Sequence, residues 1–128
     1  MSGLGELASR RYVSLTTRRR DGSLASTPVW VVSDDGERLL VWTAARSWKV
    51  RRIRRDPRVL VAASDFRGRE QGPRRPAVAR VLPPEAAEIV VPLLRRKYGW
   101  QRRALELQSR LARGPRPEAA YIELTAAG

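Results

Sequence analysis

Short apolar runs separated by turn residues fill the first two thirds of the chain, and apolar residues at helical spacing take over later. Gly3 to Arg10 reads as a short leading helix with Leu4, Leu7 and Ala8 on one side. Tyr12 to Thr17, rich in β-branched and aromatic residues, predicts a first strand. Arg20-Asp21-Gly22-Ser23 follows as a hairpin turn, because Asp-Gly tolerates positive φ. Ala25 to Ser33 and Arg38 to Thr43 predict the next two strands, so the first three form an antiparallel meander. Arg58 to Ser64 is a fourth strand, apolar from Val59 to Ala63 as expected of a strand covered on both faces. Ala77 to Leu82 is a fifth, ended by Pro83-Pro84, which also suit the start of a helix. Glu85 to Tyr98 carries apolar residues at 86, 90, 93 and 94, with Pro92 expected to kink or split it near Val91. Gln101 to Leu111 predicts a further helix, and Ala119 to Leu124 a closing strand. Six strands, one short helix after the third and a helical excursion before the last give a mainly β fold with flanking helices, a small and partly open barrel. The length fits one domain, residues 1–128.

The central stretch is Leu40 to Val59. It begins as a strand, turns at Thr43-Ala44-Ala45-Arg46 and re-enters as a helix at Trp48. Ser47 suits the N-cap, and Asp56 before Pro57 suits the end. Thr43, Arg46, Ser47 and Lys49 therefore gather around a helix start, where free N–H groups, the helix dipole and two cations make an anion site. The phosphate of a flavin-like cofactor is the expected occupant. For Ser47, Lys49 and Arg46 this reading and simple capping weigh equally on pattern alone. Arg51, Arg52, Arg54 and Arg55 read better as the wet face of a surface helix, with Val50 and Ile53 packed inward. Pro28 in the second strand marks an edge, a bulge or a break that frees backbone groups for a ligand. Trp30 shares its face by strand period.

Composition narrows the chemistry. The chain has no cysteine and no histidine, which removes thiol chemistry, the usual neutral-pH base and the usual zinc ligands. No catalytic side chain and no metal site are expected. If the chain is an enzyme, a bound organic cofactor supplies the difficult step. No apolar run is long enough to cross a membrane, and the N-terminus lacks the order of a secretory signal, so a cytoplasmic protein is expected. The net charge of +13 is almost all arginine, Lys49 and Lys97 being the two lysines. A surface this basic attracts polyanions, either nucleic acid or an acidic cofactor. The arginines are spread out, and the exposed aromatics of a single-strand platform are not interleaved with them.

These words in this order resemble the split β-barrel flavin and deazaflavin oxidoreductases, most of all the F-420-dependent subgroup of the pyridoxamine-phosphate-oxidase class. YVSLTT with RRDG, TPVW in strand two and RKYGW after the late helix carry it. The most specific word is T-x-x-x-S-x-K-V-x-R-I-R-R-D-P-R-V, from Thr43. The resemblance implies an FMN-binding-like split barrel of about six antiparallel strands that forms a homodimer. It implies a phosphate held near Thr43, Ala44, Arg46, Ser47, Lys49 and Val50, and a ring along the backbone of Thr27, Pro28, Val29 and Trp30. The implied cofactor is deazaflavin coenzyme F-420, with FMN as the alternative, delivering hydride to a small conjugated substrate. The acidic tail of F-420 would give a purpose to the helix arginines and to the arginines of loop 67–75. A nucleic-acid-binding barrel ranks third. Trp48 departs from the small residue that members often carry before the lysine.

Overall fold

The computed structural model describes residues 4–98 and 119–127. Its strands are β1 (Tyr12–Arg18), β2 (Leu24–Val29), β3 (Val31–Val32), β4 (Leu39–Ala44), β5 (Arg58–Ser64), β6 (Arg75–Leu82) and β7 (Ala119–Ala126), with helices α1 (Trp48–Arg55) and α2 (Ala87–Tyr98). The leading helix is a single 3-10 turn, Gly5–Ser9, and a second such turn, Pro84–Ala86, precedes α2.

The strands form one antiparallel sheet in the order β2-β1-β5-β6-β7-β4-β3. Its two end strands are halves of one continuous stretch, broken at Trp30. A sheet whose first and last strands are joined by one residue must curl round on itself, and the result is a barrel with a seam. The expected meander is therefore corrected. β1 and β2 make one hairpin and β3 and β4 another, but β2 and β3 leave Trp30 on different ladders. Pro28 explains part of this, since it has no N–H to donate to a second neighbour. Among the described residues seven strands stand where about six were expected, because the stretch from Ala25 is two strands and not one.

In the first hairpin, Gly22 takes φ +88° and the Asp21 carboxylate accepts the Ser23 N–H at 2.9 Å. Val13, Leu15, Val31, Leu39, Val41, Val61, Ile122 and Leu124 are fully buried inside the barrel. Val50 and Ile53 of α1 join them, so the helix closes the barrel at one end. Each such side chain contributes about 1.5–3 kcal/mol by leaving water. α2 covers the outer face instead, packing Val90 and Tyr98 on Val32, Leu40 and Tyr121. It runs through Pro92 as one element. The change of conformation falls earlier, at Ala87, where the 3-10 turn passes into α-helix. The expected helix from Gln101 lies outside the described residues.

A candidate cofactor cleft at the barrel seam

The seam brings together the two stretches singled out in sequence. Val31 pairs with Val41 and Val32 with Leu40. Continuing this register backward sets Trp30 opposite Trp42, Val29 opposite Thr43 and Pro28 opposite Ala44. That pairing is not made. β2 turns its ladder to β1 and β4 turns its own to β7, while β2 and β4 still approach each other. Two strand edges thus face one another with their backbone groups uncommitted to a sheet. Unpaired edges of this kind are open to polar partners.

The residues along the seam divide by role. Thr27 is half-buried, and its Oγ1 is buried with no hydrogen-bond partner. A buried hydroxyl without a partner is costly unless a ligand or water meets it. Pro28 is exposed, and loop 65–74 lies on it: a Cβ at Gly68 would stand 3.3 Å from its Cδ, and Gly68 itself has φ +87°. Val29 and Val50 are core side chains, so only their backbone can face a ligand, and the Val50 N–H is already given to Ser47. Trp30 stacks on Tyr98, with ring centroids 4.5 Å apart and planes 11° apart. Thr43 and Ala44 close β4 opposite Ala120 and Ala119. Arg46 is exposed.

Ser47 caps α1 as its position predicts. Its hydroxyl accepts the Val50 N–H at 3.5 Å, and its own N–H closes the preceding turn onto the Ala44 carbonyl at 3.0 Å. The cap is long, and the N–H groups of Trp48 and Lys49 have no acceptor within the helix. Asp56 ends α1; hydrogen bonds from Arg58 hold its carboxyl down to about 2.

Lys49 is half-buried. Burial and the nearby Arg52 guanidinium pull its ammonium below the usual lysine value. Among the described residues no carboxylate pairs with Lys49, Arg46 or the α1 arginines. Arg55 donates to the Arg18 carbonyl and Arg51 lies over Trp48. The loop arginines differ. Arg69 is bound to Asp65, Arg74 to Glu70 and Arg75 to Glu6, so most of that charge is neutralised at home. Of the two expected homes for an acidic tail, α1 is open and the loop largely is not.

Sequence reasoning passed over Lys97. Its ammonium donates to the carbonyls of Ala8, Arg10 and Val31 at 2.9, 2.5 and 2.7 Å. The Tyr98 hydroxyl donates to the Arg11 carbonyl at 2.7 Å and accepts the Val31 N–H at 3.3 Å. Together they pin the end of α2 to the break between β2 and β3.

The chain belongs to the family described as pyridoxamine 5'-phosphate oxidase, whose model matches residues 5–126. Among solved structures it is similar to a conserved hypothetical protein from Mycobacterium tuberculosis, 25% identical, TM-score 0.67, covering 100% of this chain and 82% of that one. An F-420 reductase is similar at 19% identity and TM-score 0.64, covering 100% and 96%. The heme storage protein HutZ of Vibrio cholerae is similar at 14% identity and TM-score 0.64, covering 93% and 83%. These last two likenesses show the fold. No curated protein matches. The split barrel expected from sequence is the fold of the family and of these neighbours, and no described helix is long and apolar enough to cross a membrane.

Proposed function

We propose that the chain binds deazaflavin coenzyme F-420 along the seam and serves as an oxidoreductase on a small conjugated substrate. One observation carries the reading. Two unpaired strand edges, with the Thr27 hydroxyl lacking a partner, face each other beside a helix start whose cations have no carboxylate among the described residues. In this reading Ser47 and the first-turn N–H groups of α1 fix a phosphate, and Lys49 supplies its counter-charge. The edges of Thr27–Trp30 and Thr43–Ala44 offer donors and acceptors to the ring, and Val29 and Val50 keep the floor dry. When bound, the reduced cofactor supplies hydride. The protein's part is to orient the ring and to balance charge at the phosphate, which needs neither His nor Cys.

Arg51, Arg52, Arg54 and Arg55 favour F-420 over FMN, because only F-420 carries an acidic tail past its phosphate. FMN is the second reading, supported by the same phosphate geometry. A homodimer belongs to the proposal, since Leu24 and Val78 leave 40% and 41% of their surface exposed on the outer sheet face. The test is the absorbance spectrum and mass of whatever co-purifies from a host making both cofactors. A deazaflavin band supports the reading and a flavin band moves it to FMN. A heme Soret band alone overturns both.

A further inference from the structure

Trp48 is 66% exposed, as Phe66 is at 61%, but among these two exposed rings only Trp48 lies beside the helix start. It sits at the first helical position of α1, between Ser47 and Lys49. The Arg51 guanidinium lies 5.1 Å from its ring centroid. A cation held over one indole face fixes the ring's orientation and leaves the opposite face for another flat partner. An exposed apolar side chain alone is ordinary; what sets this ring apart is a cation fixed over one of its faces together with its place at a helix start.

Charge decides what kind of partner. Arg46 and Lys49 flank the indole in sequence, and Arg51 and Arg52 lie on the following turn; none has a carboxylate partner among the described residues. A second copy docking here by a two-fold axis would set this cluster against itself. An anionic ligand with a flat ring meets the indole and the charge together.

We propose that Trp48 is a stacking platform, oriented by Arg51, for a planar aromatic ring attached to a phosphate. The inference rests on the phosphate site proposed above. Two rings meet the description, the flavin-type ring and a nucleotide base on the far side of the phosphate. Trp48 then sets specificity: it adds affinity to ligands that carry such a ring and none to the phosphate alone.

Calorimetric titrations of wild type, Trp48→Ala and Trp48→Phe with FMN, riboflavin, AMP and ribose 5-phosphate test this. Trp48→Ala is expected to weaken the ring-bearing phosphates about tenfold or more, the range of one aromatic stacking contact. Ribose 5-phosphate should change less than twofold, and Trp48→Phe should recover most of the loss. Loss confined to FMN identifies the flavin ring as the stacked group, and loss confined to AMP identifies a base. Trp48→Ala leaving every probe within twofold overturns the platform while the phosphate site stands. Riboflavin weakened by Trp48→Ala, with ribose 5-phosphate failing to bind wild type, keeps the platform and removes the phosphate site. Failure of all four probes with wild type removes both.

Discussion

The two lysines of this chain sit in opposite circumstances. Both are half-buried and both are held below the usual lysine value by burial. Lys97 spends its three N–H donors on three backbone carbonyls from two separate segments. Lys49 has no hydrogen-bond or carboxylate partner among the described residues. Lowered proton affinity therefore does not mark function by itself. What separates the pair is whether the fold has already met the donors. A satisfied buried cation is a fastener, and an unsatisfied one beside a free helix start is poised for an anion.

The largest effect follows from the fastener. Lys97→Met removes all three charged hydrogen bonds, leaving the Ala8 and Arg10 carbonyls without this donor and the Val31 carbonyl with the Tyr98 hydroxyl at 3.2 Å. A loss of about 2–4 kcal/mol in stability is expected, each such bond being worth roughly 1.5–3 kcal/mol before compensation by water. The denaturant midpoint reads this directly. A midpoint unchanged from wild type would erase the distinction between the lysines.

Lys49→Ala reverses the pattern. Stability should stay level or rise slightly, because a half-buried ammonium without a partner is removed. Phosphate-ligand affinity should fall by about 1.5–3 kcal/mol, roughly ten- to a hundred-fold. Arg54→Ala, further along α1, should cost less at moderate salt. Equal losses in the two variants would mean a diffuse basic surface.

Ser47 sharpens the comparison with a smaller effect. Ser47→Ala should destabilise by about 0.5–1 kcal/mol, at the low end for an N-cap because the bond is long. Ser47→Asp keeps a cap and suits the helix dipole, so stability should be retained or gained. Its carboxylate would repel a phosphate. A variant as stable as wild type but unable to bind ribose 5-phosphate separates capping from anion binding. Undiminished binding by Ser47→Asp would place the anion elsewhere.

Much of this contrast could be read in advance on one side and little on the other. α1 was legible to the residue, since Ser47, Asp56-Pro57 and the Val50–Ile53 spacing are local signals that agree with one another. β1 and β5 were legible for the same reason. The break at Trp30 was not. Pro28 announced an irregularity, but which ladder each half would join depends on β1 and β4, which are distant in sequence. The closeness of Thr27–Trp30 to Thr43–Ala44 came from family likeness; the register across Val31 and Val41 supplies its physical reason. Lys97 was missed because its three acceptors are backbone carbonyls 66 to 89 residues away, and no pattern of side chains encodes them.

The smallest net effect is the alkaline stability profile, and it is unusually readable here. With no His or Cys, and with Lys49, Lys97 and three tyrosines among the side chains titrating between neutrality and the arginine range, few groups contribute. Burial, and then the Arg11 guanidinium, bring Lys97 down to about 8 from 10.5. Between those values the unfolded chain binds more protons than the folded one, so this group makes stability rise with pH. Burial pushes Tyr98 up to about 12 from 10.0, against the hydrogen bond from Val31. There the folded chain keeps the proton longer, so stability falls as pH climbs from about 10 towards 12. Arg11 faces both groups, and Tyr12 adds to the tyrosine's shift. The neighbours act in opposite directions in successive pH windows, and the wild type should show a maximum near pH 10. Lys97→Met should lose most of the rising limb and keep the fall, and Tyr98→Phe should keep the rise and lose most of the fall, burial raising Tyr121 as well. Lys49→Ala should trim only the rise. A Lys97→Met profile superimposable on wild type from pH 8 to 10.5 would show that its carbonyl partners hold the ammonium at its ordinary value, and the two lysines would then differ in electrostatics as well as in bonding.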